Sequence, residues 1–250
     1  MNLTKSAVKS QKSEDEKKAG IDSGAKIAGS GTRKEIMQRL QNRYGSPECS
    51  LDYNEPWQLL FATILSAQCT DARVNMITEK LYKKYPKLED IAAASVEEFE
   101  QDIKSAGFYH MKAVHIIECA NQLIREYKGE LPSDIDELTS LSGVGRKTAN
   151  VVRTHIFHIP SVVVDTHVKR ISGRLGFTNE TEPEKIEQDL MKRVPKAQWS
   201  DINLQFITLG REICKSQHPA CEMCFLADIC RYKKAADKGK EKQSKKKNNA

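Results

Sequence analysis

The chain has 250 residues, enough for one sizeable core or two small domains, and its 39% hydrophobic and 6% aromatic content suits a soluble globular protein. No apolar run reaches the ~18 residues of a membrane span, and the lysines of MNLTKSAVKSQKSEDEKKAG have no apolar stretch behind them, so neither a membrane protein nor a secreted one is expected. A net charge of +6, with 30% of residues charged, permits a polyanionic partner without requiring one.

In chain order, residues 1 to about 31 are rich in Lys, Ser, Glu and Gly with little apolar periodicity, which predicts a disordered arm. From Arg33 the pattern is helical, with Ile36, Leu40 and Tyr44 on one face. Trp57 to Leu65 (WQLLFATIL) is apolar nearly all round and predicts a buried helix. Further helices are expected at roughly 70–84, 96–105, 110–127, 134–141, 146–157, 166–175, 183–194 and 200–216. The one strand-like run, Ile159 to Val164, is short, contains Pro160 and has no evident partner. The fold class is therefore all-α.

The stretch LSGVGRKTANVV, 141–152, lies between two of these helices. Ser133 and Asp136 form a capping-box-like pair ahead of Ile135, Leu138 and Leu141. Gly143 and Gly145 allow positive φ or close backbone approach. The next helix begins near Arg146, and its first amides have no partner within the helix, so with the helix dipole they favour an anion such as a phosphate oxygen. This is a helix-hairpin-helix pattern, which grips a DNA backbone without reading bases. An ordinary glycine-capped connection would look similar.

Asp165 follows VVV and precedes the helix expected from Thr166, the position of an N-cap. Seven cysteines occur, and the last four, Cys214, Cys221, Cys224 and Cys230, are spaced C-x6-C-x2-C-x5-C. Four converging thiolates repel unless a soft metal centre balances them, and either zinc or a four-iron cluster takes four cysteines. A single C-x-x-C pair tilts the choice toward iron–sulfur. Cys49, Cys69 and Cys119 read as core fillers. Beyond Arg231 the lysines crowd, predicting a disordered tail over 233–250 with a weak electrostatic hold on nucleic acid as a by-product.

LSAQCTD (65–71), AGFYHMKA (106–113), LSGVGRKTANVV (141–152), VDTHVKR (164–170) and the four-cysteine loop (214–230) together resemble bacterial-type endonuclease III, a family of bifunctional DNA glycosylases with AP-lyase activity. The match runs from about Arg33 to Tyr232. It implies base excision repair: removal of oxidised pyrimidines from duplex DNA, then β-elimination at the abasic site through a lysine Schiff base. It also implies two domains with a DNA cleft between them, a six-helix barrel over 49–160 carrying the hairpin (134–157), and a cluster domain from 32–48 with 161–232.

By the same resemblance, Lys147 is the nucleophile and Asp165 the stabiliser of developing positive charge. The four cysteines hold a [4Fe-4S] cluster, which shapes a basic loop flanked by Lys215 and Arg231. Gln68 and Phe108 enter the duplex from opposite sides, and Gly143, Val144, Gly145, Arg146 and His167 complete the DNA-binding set. The helix dipole and partial desolvation at position 147 both favour a neutral, nucleophilic amine. Ser142 stands where the family often has proline, which predicts a slightly looser hairpin, and Phe108 where it often has leucine. The implied protein is a monomer that acts on double-stranded DNA in the cytoplasm, associated with the nucleoid. Two alternatives are a monofunctional mismatch glycosylase of the same superfamily, which usually lacks the lysine, and a non-catalytic DNA-binding protein using the cluster as a redox sensor.

Overall fold

A computed structural model describes residues 25–248, with side chains through 239. Among the described residues there is no strand, and no helix is long and apolar enough to cross a membrane. The run 159–164 forms neither strand nor helix. The chain divides into two compact units: residues 48–161, and the residues up to 47 together with those from 162 onward.

The first unit is built on α2 (Pro56–Leu65), in which every residue from Trp57 to Leu65 is buried. A helix buried all round needs its ends settled by short local means. Pro56 fixes the first turn, and the Gln58 side-chain oxygen accepts from the amides of Asn54 (2.8 Å) and Glu55 (3.1 Å). Around it pack α3 (Asp71–Lys84), α4 (Leu88–Ala92), α5 (Val96–Ile103), α6 (Tyr109–Tyr127), α7 (Ile135–Ser140) and α8 (Arg146–His155), all contributing to one core. Cys119 lies wholly inside that core, and burial pushes its thiol up to about 12, as suits a filler and not a ligand. Cys49 and Cys69 pack against the same core.

The second unit contains α1 (Ser30–Tyr44), α9 (Thr166–Leu175), α10 (Pro183–Arg193), α11 (Trp199–Glu212) and α12 (Arg231–Asn248). Its core joins Ile36 and Leu40 of α1 to Ile171, Phe177, Leu190 and Phe206, and the Phe177 and Phe206 rings meet edge-on at 5.7 Å. Gly210 lets α11 lie close to α9: a Cβ there would stand 2.8 Å from Arg170 Nη2 and would also collide with His167.

Four expectations need correction. Residues 1–24 of the expected arm lie outside the described residues, but those from 25 are ordered and α1 already begins at Ser30. Backbone groups hold this stretch: the Ala28 amide donates to Gly176 O (2.9 Å), and Asn179 donates to Ala25 O (2.7 Å). The tail expected to be disordered is helical to Asn248; its first turns gain from Lys233 pairing with Asp237 (2.7 Å) and Glu222 (3.0 Å), and from Ala235 and Ala236. α4 was not expected, being only five residues long. The cap of α7 is Asp134 in place of the Ser133–Asp136 pair, its carboxylate accepting from the amides of Asp136 (2.8 Å) and Glu137 (3.2 Å), and those bonds hold the carboxyl below the usual range.

Candidate nucleic-acid interface and metal centre

The turn between α7 and α8 is fixed from behind. Its Val144 side chain is buried, and the Val144 amide donates back to Leu141 O (3.1 Å). Val144 thus anchors the turn and offers an arriving ligand neither its side chain nor its amide. Gly143 has φ +75°, and a Cβ there would lie 2.8 Å from His115 Cβ, so only glycine fits both the backbone and the contact with α6. The expected loosening at Ser142 is not seen. Its amide donates to Gln122 Oε1 (2.7 Å), and its hydroxyl lies 2.9 Å from His115 Nδ1. A proline has neither donor, so serine ties the turn to α6 by other means.

The front of the turn is open. Gly145 has ordinary negative φ, and nothing stands within 4 Å of where its Cβ would be. Its missing side chain therefore serves access. It caps α8 without a side-chain bond, and the first turn of α8 contains no acidic residue to compete for an anion. Arg146 and Lys147 follow, both exposed. The burial expected at Lys147 is thus not supplied by the protein alone.

Gln68 and Phe108 are also exposed, Phe108 to 67% for a large apolar ring. Both hold left-handed backbone, φ 56° and 50°, which non-glycine residues adopt uncommonly. They sit at a loop after α2 and at the N-terminus of α6. A functional assignment for either had no basis in spacing; the left-handed conformation and the exposed ring are visible only in three dimensions.

In the second unit, Asp165 is the N-cap of α9, and its Oδ1 accepts from the Val168 amide at 2.8 Å. The carboxylate is half-buried. His167, in the first turn of the helix, has Nδ1 3.1 Å from Arg170 Nη2 and packs against α11 at Gly210.

Cys214, Cys221, Cys224 and Cys230 line one cavity, walled by Leu175, Leu209, Ile213, Pro219 and Tyr232. Burial pushes the Cys221, Cys224 and Cys230 thiols above their usual range, and the charges of neighbouring cysteines add to it. Four thiolates gathered there require a cationic centre, so the donor set fits an iron–sulfur group. Arg174 Nη1 reaches Cys214 Sγ (3.3 Å) and Lys215 O (2.7 Å), Nη2 reaches Ser216 O (2.9 Å), and the guanidinium lies 4.6 Å over the Tyr232 ring. Arg170 holds Cys214 O (3.0 Å). Arg231, expected to flank the basic loop, is turned inward: it bonds Asn179 Oδ1 (2.6 Å), Gly173 O and the carbonyls of Thr178 and Lys26.

Comparison with known proteins gives a consistent picture. Residues 61–196 match the family described as HhH-GPD superfamily base excision DNA repair protein, and residues 214–230 match the iron-sulfur binding domain of endonuclease III. Endonuclease III of Synechocystis sp. is 47% identical over 197 residues, covering 78% of this chain and 90% of that one. The Bacillus subtilis enzyme is 44% identical over 203 residues, covering 81% and 93%. Among solved structures, a trapped endonuclease III–DNA covalent intermediate superposes with a TM-score of 0.80 at 42% identity, covering 84% of this chain and 99% of that chain. A thermostable thymine-DNA glycosylase superposes with a TM-score of 0.73 at 25% identity, covering 82% and 98%.

Proposed function

The chain belongs to the endonuclease III family of base excision DNA repair proteins, and from that premise we propose the roles of its individual residues. It is a DNA glycosylase with AP-lyase activity, acting on duplex DNA that carries an oxidised pyrimidine or an abasic site, and it holds a [4Fe-4S] cluster. The alternatives of a monofunctional mismatch enzyme and a non-catalytic sensor are not favoured by these matches.

The observation that carries the assignment of residues is the hairpin: an open Gly145 backbone, then an exposed lysine in the first turn of α8. A phosphate accepted at that helix start brings its sugar near Lys147 Nζ. The neutral amine attacks C1′ as the N-glycosidic bond breaks, the base leaving with the electron pair and a proton. Opening of the sugar ring, in which the C1′–O4′ bond breaks and O4′ takes up a proton (at an abasic site, loss of the C1′ hydroxyl as water), yields the Schiff base, whose electron withdrawal acidifies the C2′ proton. Removal of that proton expels the 3′ phosphate, and hydrolysis returns the lysine. Asp165, a carboxylate on the N-cap of α9, stabilises positive charge developing on the sugar. Gln68 and Phe108 fill the space that an extruded base leaves. His167 supports α9 through Arg170.

Cys214, Cys221, Cys224 and Cys230 are the ligands of the cluster, which when bound supplies a four-point anchor for the loop 214–230. A place among nucleoid DNA in the cytoplasm follows from the substrate. The test is borohydride trapping on duplexes with thymine glycol or an abasic site. Wild type should give a covalent adduct and a nick, and Lys147→Gln should give neither while binding the duplex. Undiminished trapping in Lys147→Gln makes another amine the nucleophile and overturns the assignment.

A further inference from the structure

AGFYHMKA contains a lysine that neither the chemistry above nor the phosphate grip uses. Lys112, in the first turn of α6, is only 6% exposed although its side chain ends in an ammonium. A buried charge of this kind persists only when its hydrogen-bonding capacity is filled. Here it is filled completely: Nζ donates to Leu65 O (2.8 Å), Ala67 O (2.8 Å) and Ala106 O (3.0 Å), three donors for three carbonyls.

Those carbonyls belong to two separate loops. Leu65 and Ala67 close α2 and lead directly into Gln68, whose φ is 56°. Ala106 leads through Gly107 (φ 68°) into Phe108 (φ 50°). The Lys112 amide also donates to Phe108 O (3.2 Å), so backbone and side chain of one residue grip both flanks of the Phe108 turn. Two exposed side chains in uncommon left-handed backbone thus hang from loops that share one ammonium. Left-handed residues outside glycine persist where surrounding bonds over-determine them. The cation also meets the C-terminal carbonyls of α2, the favourable end of that helix dipole. Burial lowers the ammonium's proton affinity, in keeping with its place inside the protein.

We propose that Lys112 is a positioning residue for base extrusion: it staples the Gln68 loop to the Phe108 turn and so presents both duplex-entering side chains in one fixed arrangement. This rests on the assignment of Gln68 and Phe108 made above. Lysine suits the task because its three donors diverge from a point, whereas arginine's planar fork cannot meet three carbonyls converging on one site.

The consequence is a split between two activities of one enzyme. Base release from a duplex lesion requires extrusion; strand cleavage at an abasic site in single-stranded DNA requires neither extrusion nor a wedge. In Lys112→Met holoprotein, single-turnover release of thymine glycol from duplex DNA should fall on the order of 10²-fold, the scale of a displaced positioning group. Cleavage of the single-stranded abasic site should change less than about threefold, about half of one tenfold step. A fluorescent base analogue opposite the lesion should report slower unstacking. Adding Lys112→Met to a Gln68→Ala, Phe108→Ala background should cost little more, because residues acting as one unit are not additive.

Lys112→Gln, which keeps a donor at similar reach, is the second variant, and the same split of smaller size is expected. Equal losses in both assays, no loss in duplex base release, or failure of both variants to fold and hold the cluster would each overturn the proposal. The Gln68→Ala and Phe108→Ala proteins separate the two levels. If they release base at the wild-type rate, the wedge assignment itself fails. If they slow release and Lys112→Met does not, only the staple fails.

Discussion

The hairpin of residues 134–155 and the cysteine loop of 214–230 are both short irregular segments next to helices, yet they treat their polar groups in opposite ways. At the hairpin the back is tied down by Gln122 and His115 while the front is left open at Gly145 and cationic at Arg146 and Lys147. At the cysteine loop three buried or half-buried arginines, Arg170, Arg174 and Arg231, are turned inward onto carbonyls and a sulfur. A visiting polyanion needs groups exposed to it; a resident cluster needs its surroundings completed in advance. The same residue type, arginine, is exposed at Arg146 and turned inward onto protein groups at the cysteine loop. Count and sign of charge therefore say little about DNA contact until the direction of each side chain is known.

The largest effect is expected where the contrast could break. Asp165 lies in the unit with the resident cluster but is assigned to the visiting sugar, and its carboxylate is already engaged with the Val168 amide. Asparagine caps a helix as well as aspartate, so Asp165→Asn should leave the melting temperature unchanged. If the negative charge acts in the transition state, base release should slow on the order of 10²–10³-fold while duplex affinity holds. Single-turnover kinetics and a binding titration decide it. A lowered melting temperature with unchanged kinetics would make Asp165 a cap alone and return it to the structural side of the contrast.

Arg174→Met sharpens the resident half. It removes the donor to Cys214 Sγ and leaves the carbonyls of Lys215 and Ser216 without their partner inside the protein. The expected cost is on the order of 3 kcal/mol in stability. Iron content per chain and absorbance near ~410 nm should fall with it. Full iron content and an unshifted melting temperature would show that the loop is held by its cysteines alone.

What the sequence made legible follows the same division. The all-α class, the buried helix at Trp57–Leu65 and the cysteine set were readable because periodicity and spacing are written in side-chain types. The Gly-Val-Gly turn was readable as a turn, but the different jobs of its two glycines were not: one is forced by φ and by His115, the other leaves space. Contacts made to backbone carbonyls left no trace. Residues 25–29 are fixed through their own main-chain groups, bonded to Gly176 O and to the Asn179 side chain, so their composition read as disorder. Nothing in the sequence marks Lys112, because its three acceptors are carbonyls, which every residue carries. Arg231, read as flanking a basic loop, instead closes the protein on itself.

The two glycines give the smallest and most discriminating test. Gly143→Val places a β-branched residue at φ +75° with its Cβ 2.8 Å from His115, so it should destabilise the hairpin by about 1–3 kcal/mol whether or not DNA is present. Gly145→Val has ordinary φ and meets no protein atom within 4 Å, so the free protein should melt as wild type does. Its isopropyl group would instead occupy the space through which a phosphate approaches the start of α8. Affinity should drop about tenfold, the value of roughly one charge-assisted hydrogen bond, and by the same factor for every duplex, since a backbone contact carries no base information. Thermal melts of both proteins, paired with titrations of undamaged, abasic and thymine-glycol duplexes, separate the outcomes. Loss of affinity for one lesion only would mean that Gly145 faces a base rather than the backbone. A lowered melting point in Gly145→Val would mean that its openness belongs to the fold and not to the ligand, and the contrast between a tied back and an open front would not hold at the residue on which it most depends.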